Sequence, residues 1–243
     1  MPPRLHLDQP IGAAGTLALP ASAARHAQVL RLQPGDALSL FDGRGGEWPA
    51  TITSMARNAV VVELHVHEPR ECEAAVAVTL ALAMPANDRM ADLVEKATEL
   101  GAAAILPLLS ERSVLRLGGE RAARRRAHWQ SIAIAACEQC GRNRVTSIHP
   151  VQALDAWLAS LARPAAETRL LLAWRDAMPW PQAVARITAA ATLLSGPEGG
   201  LSDREENLAR ACGFIPTTLG PRVLRADTAP LAALAAITLA TAP

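Results

Sequence analysis

Ala191-Thr192-Leu193-Leu194-Ser195-Gly196-Pro197-Glu198-Gly199-Gly200 reads as a strand running into a glycine-rich turn. Ala191–Ser195 carries no charge, as a strand covered on both faces should. Three glycines then let backbone amides approach a ligand, and Pro197 stiffens the turn. Ser202 or Asp203 can cap the helix that follows. The same composition also suits an ordinary strand-to-helix connection. It is not a Walker A loop, because no Gly-Lys-Ser/Thr follows, and its glycine spacing is not the dinucleotide fingerprint.

Outward from this stretch the alternation of strand and helix continues in both directions. Upstream, Val76–Met84, Ala104–Leu108 and Arg169–Trp174 read as buried strands. Asp88–Leu100, Glu120–Cys140 and Pro150–Leu161 read as helices, with Gly101 stopping the first. Downstream come a helix at Asp203–Cys212, a strand at Phe214–Leu219 and a final apolar helix at Thr228–Thr241. Such alternation implies a largely parallel sheet with helices on both faces. Ligands on these sheets sit at the carboxyl ends of strands, which selects the loops after Trp174, Ser195 and Leu219. The last of these, Leu219-Gly220-Pro221-Arg222-Val223-Leu224-Arg225, is a second Gly-Pro loop, with Asp227 or Thr228 able to cap the next helix. Two such loops at one sheet edge favour a shared pocket.

Residues 1–70 have a different texture. Gly15–Pro20, Ala37–Phe41, Trp48–Met55 and Ala59–Val66 read as short strands. Asp42–Gly46 and Arg57-Asn58 are the turns between them, and Ala21–Leu32 has helical spacing. This is the pattern of a small barrel or curled sheet. Polar Pro69–Ala74 is the expected linker, giving domains at 1–70 and 75–243.

Composition narrows the function classes. The chain has 243 residues, 50% hydrophobic and 19% charged, with a net charge of +1. That is a globular composition, without the low hydrophobicity and high charge of disorder. No apolar run reaches the roughly 18 residues of a membrane span, and Met1–Gln9 lacks the apolar core of a signal peptide. Four cysteines are too few for a disulfide scaffold, so a cytoplasmic location is expected. Two Phe, five Trp and no Tyr argue against a broad base-stacking surface. Trp129, Trp157, Trp174 and Trp180 read as core or interface.

Charge is not evenly spread. Between 111 and 144, eight arginines face Glu111, Glu120 and Glu138, a net +5 within a nearly neutral chain. A local basic field suits a phosphate partner, although a solvated helix face explains Arg121–Arg126 as well. Cys137-Glu138-Gln139-Cys140 lacks the further ligands of a zinc site and lies near a helix C-terminus, so both thiols read as small buried groups. His65 and His67 alternate on one strand without a third ligand, and no metal is expected. Lys96 and Glu99 read as a local ion pair.

Taken together, His26-x-x-Val29-Leu30-Arg31, Glu95-Lys96-Ala97-Thr98-Glu99-Leu100-Gly101, Glu111-Arg112-Ser113, Glu138-Gln139-Cys140-Gly141-Arg142 and the two Gly-Pro loops resemble the bacterial 16S ribosomal RNA uracil-N3 methyltransferases of the SPOUT superfamily. The resemblance runs through nearly the whole chain. Asp227 departs from the family's usual Glu, and Leu201 from a common aromatic. The resemblance implies an α/β SPOUT methyltransferase domain with a trefoil knot, preceded by a small PUA-like RNA-binding β-barrel. It implies S-adenosylmethionine as cofactor, 16S rRNA of the small ribosomal subunit as partner, and a homodimer.

It also implies site roles. Leu172, Ala173, Leu194, Gly196, Pro197, Glu198, Gly199, Gly200, Leu219, Gly220 and Leu224 would hold the cofactor. Uracil N3 must lose a proton to become nucleophilic, so a base or a stabilising cation is needed. Glu198 and Glu138 are candidate bases. Arg142, expected from the neighbouring subunit, Arg222 and Arg225 are candidate anion stabilisers. Arg25, Arg31, Arg44, Arg112, Arg116 and Arg142 would hold rRNA, with binding that weakens steeply in salt. The residues leave three other readings open: a SPOUT enzyme acting on ribose 2′-OH or another base, a binding-only rRNA assembly factor and, least favoured because the dinucleotide fingerprint is missing, a nucleotide-dependent oxidoreductase.

Overall fold

The computed structural model describes residues 2–57, 59–86, 89–161 and 167–240. Asn58, Asp88 and Thr241, expected at a turn, a helix start and a helix end, lie outside the described residues. The chain divides into two compact units, residues 1–73 with 134–145, and residues 74–133 with 146–243.

The first unit is built on β1 (Arg4–His6), β2 (Gly15–Ala18), α1 (Ala21–Val29), β3 (Ala37–Phe41), β4 (Trp48–Ala56) and β5 (Ala59–Leu64). The strands form one sheet in the order β1-β3-β4-β5-β2, antiparallel except for β1 beside β3. No ladder joins β1 to β2, so among the described residues the element is a five-stranded sheet rather than a closed barrel. Period-two alternation sets its inner face. Val60, Val62 and Leu64 are buried from β5, and meet Leu38, Leu40, Ala50 and Ile52. α1 covers this face through Ala23, Ala24 and Ala27, whose small side chains permit close packing. His65 and His67 fall beyond the end of β5, where His65 meets the Thr51 hydroxyl and His67 the Trp48 ring.

The second unit holds β6 (Ala77–Ala83), α2 (Arg89–Glu99), β7 (Ala102–Leu109), α3 (Gly119–Cys140), β8 (Ser147–Ile148), β9 (Gln152–Ala153) and α4 (Leu154–Ser160). It continues with β10 (Thr168–Leu172), β11 (Met178–Pro179), α5 (Trp180–Val184), β12 (Ala190–Ser195), α6 (Asp203–Ala211), β13 (Ile215–Thr218) and α7 (Thr228–Ala240). Eight strands pair in parallel in the order β11-β13-β10-β12-β6-β7-β8, with β9 also on β7. Leu106, Leu108, Leu171 and Leu194 pack with Trp157, Leu158, Ala209 and Phe214 into one buried cluster with α4 and α6. α7 lies against β12 and α2, and α2 against β7. The central strands are thus buried on both faces, which is why they read as continuous apolar runs.

Two differences from the expected elements have local causes. The helix expected from Pro150 begins only at Leu154, because Gln152 and Ala153 pair with Leu108 and Leu109 as a strand. Residues 134–145, expected in the second domain, group with the first unit. There the Glu138 carboxylate accepts the His6 N–H at 2.9 Å, and Arg4 donates to the Asn143 side chain at 2.6 Å and the Arg142 carbonyl at 3.1 Å. Asn143 in turn donates to the Arg70 carbonyl at 2.6 Å. Among the described residues no helix is long and apolar enough to cross a membrane.

Candidate functional site

A cavity of about 460 Å³ opens at the carboxyl ends of β10, β12 and β13, which lie side by side in the sheet. Leu171–Trp174 line it from β10, Ser195–Glu198 with Gly200 and Leu201 from β12, and Thr217–Leu219 with Arg222–Ala226 from β13. Three adjacent parallel strands point their ends at one place, so their loops converge there.

The β12 loop folds back on itself. A side chain at Gly196 would put its Cβ 2.9 Å from the Gly200 carbonyl carbon and the Leu201 nitrogen, so only glycine fits. The Gly200 N–H donates to the Pro197 carbonyl at 2.8 Å, closing a turn, and Gly200 itself has a positive φ of +69°. Ser202, one of the two expected caps, starts α6. Its Oγ accepts the Glu205 N–H, and the Glu205 carboxylate accepts the Ser202 N–H, a capping box. Glu205 is buried, and its other oxygen accepts the Glu111 N–H at 2.8 Å. Glu111 is held below the usual carboxylate range by its bond with Ser202 and then by Arg204. The β13 loop is pinned more simply: Gly220 and Thr218 Oγ1 exchange hydrogen bonds at 3.0 and 3.3 Å.

Among the expected cofactor residues, Leu172, Ala173, Gly196, Pro197, Glu198, Gly200, Leu219 and Leu224 line the cavity, and Leu194, Gly199 and Gly220 do not. The Leu194 side chain lies in the core of the sheet, and Gly199 lies under Arg112. Glu198, Arg222 and Arg225 line the cavity together. Both Glu198 oxygens stand 3.1 Å from the Ala86 N–H and accept from it.

Glu138 and Arg142 belong to the first unit and do not line this cavity. Glu138 also faces His26 Nδ1 at 3.5 Å. Arg142 is buried and donates to the Glu73 carboxylate at 2.5 Å from Nη2 and 3.1 Å from Nε. Burial is the largest single effect and disfavours its charge, but the Glu73 bond and charge, with Cys137 and Cys140, together outweigh it and raise its pKa. Arg25, Arg31, Arg44, Arg112 and Arg116 are exposed. Arg112 donates to the Gly199 and Leu201 carbonyls, and Arg116 to those of Ser110 and Glu111.

Trp174 and Arg89 are among the cavity residues that the sequence did not assign to the site. Trp174, expected in core or interface, is 61% exposed and lines the cavity, whereas Trp129 and Trp157 are buried. It is the second residue after the end of β10, where a side chain meets the ligand face rather than the core. Arg89, at the start of α2, lines the cavity and pairs with Asp227 at 3.3 Å. Its signal was available, since the loop it closes follows the carboxyl end of β6. Among the described residues no group of His, Cys, Asp or Glu could hold a metal ion.

The fold and the cavity define a class that comparison makes explicit. Residues 72–238 match the family described as RNA methyltransferase domain, and residues 19–64 the RNA methyltransferase PUA domain. The chain therefore belongs to the RNA methyltransferases, as a member of the group named ribosomal RNA small subunit methyltransferase E. It is 37% identical over 214 residues to the protein of that name from Synechocystis sp., covering 86% of this chain and 68% of the relative. It is 32% identical to that from Bacillus subtilis, covering 96% and 93%. A crystal structure of the Neisseria gonorrhoeae protein, bound to S-adenosyl methionine, superposes with a TM-score of 0.91 at 37% identity over 98% of this chain and 97% of that one. A Legionella pneumophila methyltransferase in complex with the same cofactor gives 0.90 at 33% identity over 99% and 98%.

Proposed function

We propose that the cavity at the ends of β10, β12 and β13 binds S-adenosylmethionine and that the chain methylates N3 of a uridine in 16S rRNA. The observation that carries this reading is the β12 loop, folded so tightly that Gly196 has no room for a side chain. The loop and apolar Leu171, Leu172, Leu219 and Leu224 together wall the cavity. That lining suits an adenosine group, which needs an apolar slot and a few backbone partners. The bound cofactor supplies an already activated methyl group, so the protein's task is alignment and charge.

Uracil N3 lies on the Watson–Crick edge, so the base must be unpaired or flipped. Exposed Trp174 offers it an aromatic face at the cavity. N3 must also lose its proton, in this reading to solvent water, and the anion then needs a cation. Arg222 and Arg225 line the cavity and are exposed, so they fill that role. The Glu198 carboxylate is already engaged by the Ala86 N–H and works as a loop anchor in this reading. Glu138 and Arg142 hold the first unit together. The PUA unit, through Arg25, Arg31 and Arg44, and the second unit, through Arg116, take rRNA phosphates.

Three further expectations belong to the same reading. The segment from β13 to α7, which returns to pack on β12 and α2, is taken as threaded in a trefoil knot. The protein is a homodimer. Its ribosomal substrate puts it in the cytoplasm. The test uses small ribosomal subunits from a strain lacking this gene, incubated with the protein and S-adenosylmethionine. The rRNA is digested and its nucleosides identified by mass spectrometry. New 3-methyluridine is expected. A different methylated nucleoside overturns the target, and no binding of the cofactor overturns the cavity assignment.

A further inference from the structure

We infer that Arg112 is a positioning residue of the cofactor loop, not an RNA ligand: it straps the β12 turn from outside while the cofactor occupies the inside. This rests on the reading that the cavity takes S-adenosylmethionine.

Arg112 Nη1 donates to the Gly199 carbonyl at 2.8 Å and to the Leu201 carbonyl at 3.1 Å. Its stem covers the same turn. A Cβ built on Gly199 would meet Arg112 Cδ at 3.5 Å and Cβ at 3.6 Å. Gly196, Pro197, Glu198, Gly200 and Leu201 line the cavity, and Gly199 is the one residue of the turn that does not. The strap therefore grips the outer side of a loop whose inner side is the binding wall.

The base of the strap is itself braced. The Ser110 and Ser113 hydroxyls stand 2.9 Å apart, and Ser113 Oγ accepts the Ser110 N–H at 3.1 Å. Arg116 donates to the Ser110 and Glu111 carbonyls at 3.3 and 3.0 Å. Glu111 is fixed to α6 at both ends, its N–H on Glu205 at 2.8 Å and its carboxylate on Arg204 at 2.7 Å. Glu111-Arg112-Ser113 is thus a rigid arm, and charge-assisted bonds to two carbonyls hold the turn more firmly than neutral bonds would.

The experiment compares wild-type protein with R112M, which keeps the stem and deletes the donor, and R112K. S-adenosylhomocysteine is titrated by calorimetry, and KM is measured separately for S-adenosylmethionine and for small ribosomal subunits. R112M should weaken S-adenosylhomocysteine about tenfold, the loss of one charge-assisted anchor, with a matching rise in the cofactor KM. The KM for subunits and its salt dependence should not move. R112K should recover most of the loss, because both bonds leave a single nitrogen that an ammonium can replace. Unchanged cofactor affinity in R112M, a rise in the subunit KM instead, or failure of R112K to rescue would each overturn the inference. If R112M does not fold, R112Q gives the same readout. Wild-type protein that fails to bind S-adenosylhomocysteine would overturn the underlying reading, a result separable from any behaviour of the variants.

Discussion

Glu47 is buried in the first unit, where it takes donors from Arg4, from Ser39 Oγ at 3.0 Å and from Arg70 at 3.3 Å. A carboxylate removed from water depends on such donors, and breaking a buried pair costs about 3–5 kcal/mol because the other charge is stranded. E47A should therefore lose about that much unfolding free energy in a urea titration. The R4M/E47L double variant should recover part of it, since it strands no charge. His6 shows the opposite preference. Burial lowers its pKa below the ordinary 6.5, against the pull of Asp8, Glu138 and Asp42. The folded unit thus favours neutral His6. The stability this provides is fully present above pH 6.5 and is lost as pH falls through the lowered folded value. Melting curves between pH 7.5 and 5 should fall more steeply for wild type than for H6Q; equal slopes would exclude His6 as the source. None of these partners was legible in the sequence, because residues 4, 47 and 70 meet only after the sheet has formed.

At the scale of elements, the apolar runs and turn residues carried most of the information. β3 falls on the expected Ala37–Phe41, and α6 starts after one of its two expected caps. Lys96 lies between Glu95 and Glu99 at 2.8 and 3.0 Å, which raises its pKa to about 12. The expected Lys96–Glu99 pair is local and so readable from spacing. β9 was missed because its two residues have no pattern of their own and are strand only through β7. The β12 loop gives the sharpest expectation at this scale. G196A would force its Cβ against Gly200 and Leu201 backbone, which cannot move aside as a side-chain tip could. S-adenosylhomocysteine binding should fall at least about tenfold, the size of a small displacement of binding groups, and the melting temperature should fall as well because backbone is displaced. Calorimetry and a melt on the same sample check both halves.

For the whole molecule, α7 is the element out of balance. Thr228–Ala240 carries no charge, and a helix apolar on all sides is normally buried on all sides. Pro230, Ala233, Leu234 and Ile237 are buried, yet Leu239 is 76% exposed. In the homodimer proposed above, a second copy of this chain would cover Leu239. L239E should then shift the proposed dimer to monomer in light scattering at micromolar concentration, and a wild-type monomer would sink the expectation.

The sequence by itself determined the class of each unit and the carboxyl end of the sheet where the cavity opens. Those follow from local chemistry: period-two and continuous apolar runs, glycine where only glycine fits, and a cap where a helix must start. The tertiary structure alone decided which side chains share the cavity. It put Trp174 and Arg89 there, and gave Glu138 and Arg142 partners in the first unit. Residue type tells what chemistry a side chain can perform. Its neighbours are set by packing between distant segments, which no spacing along the chain encodes.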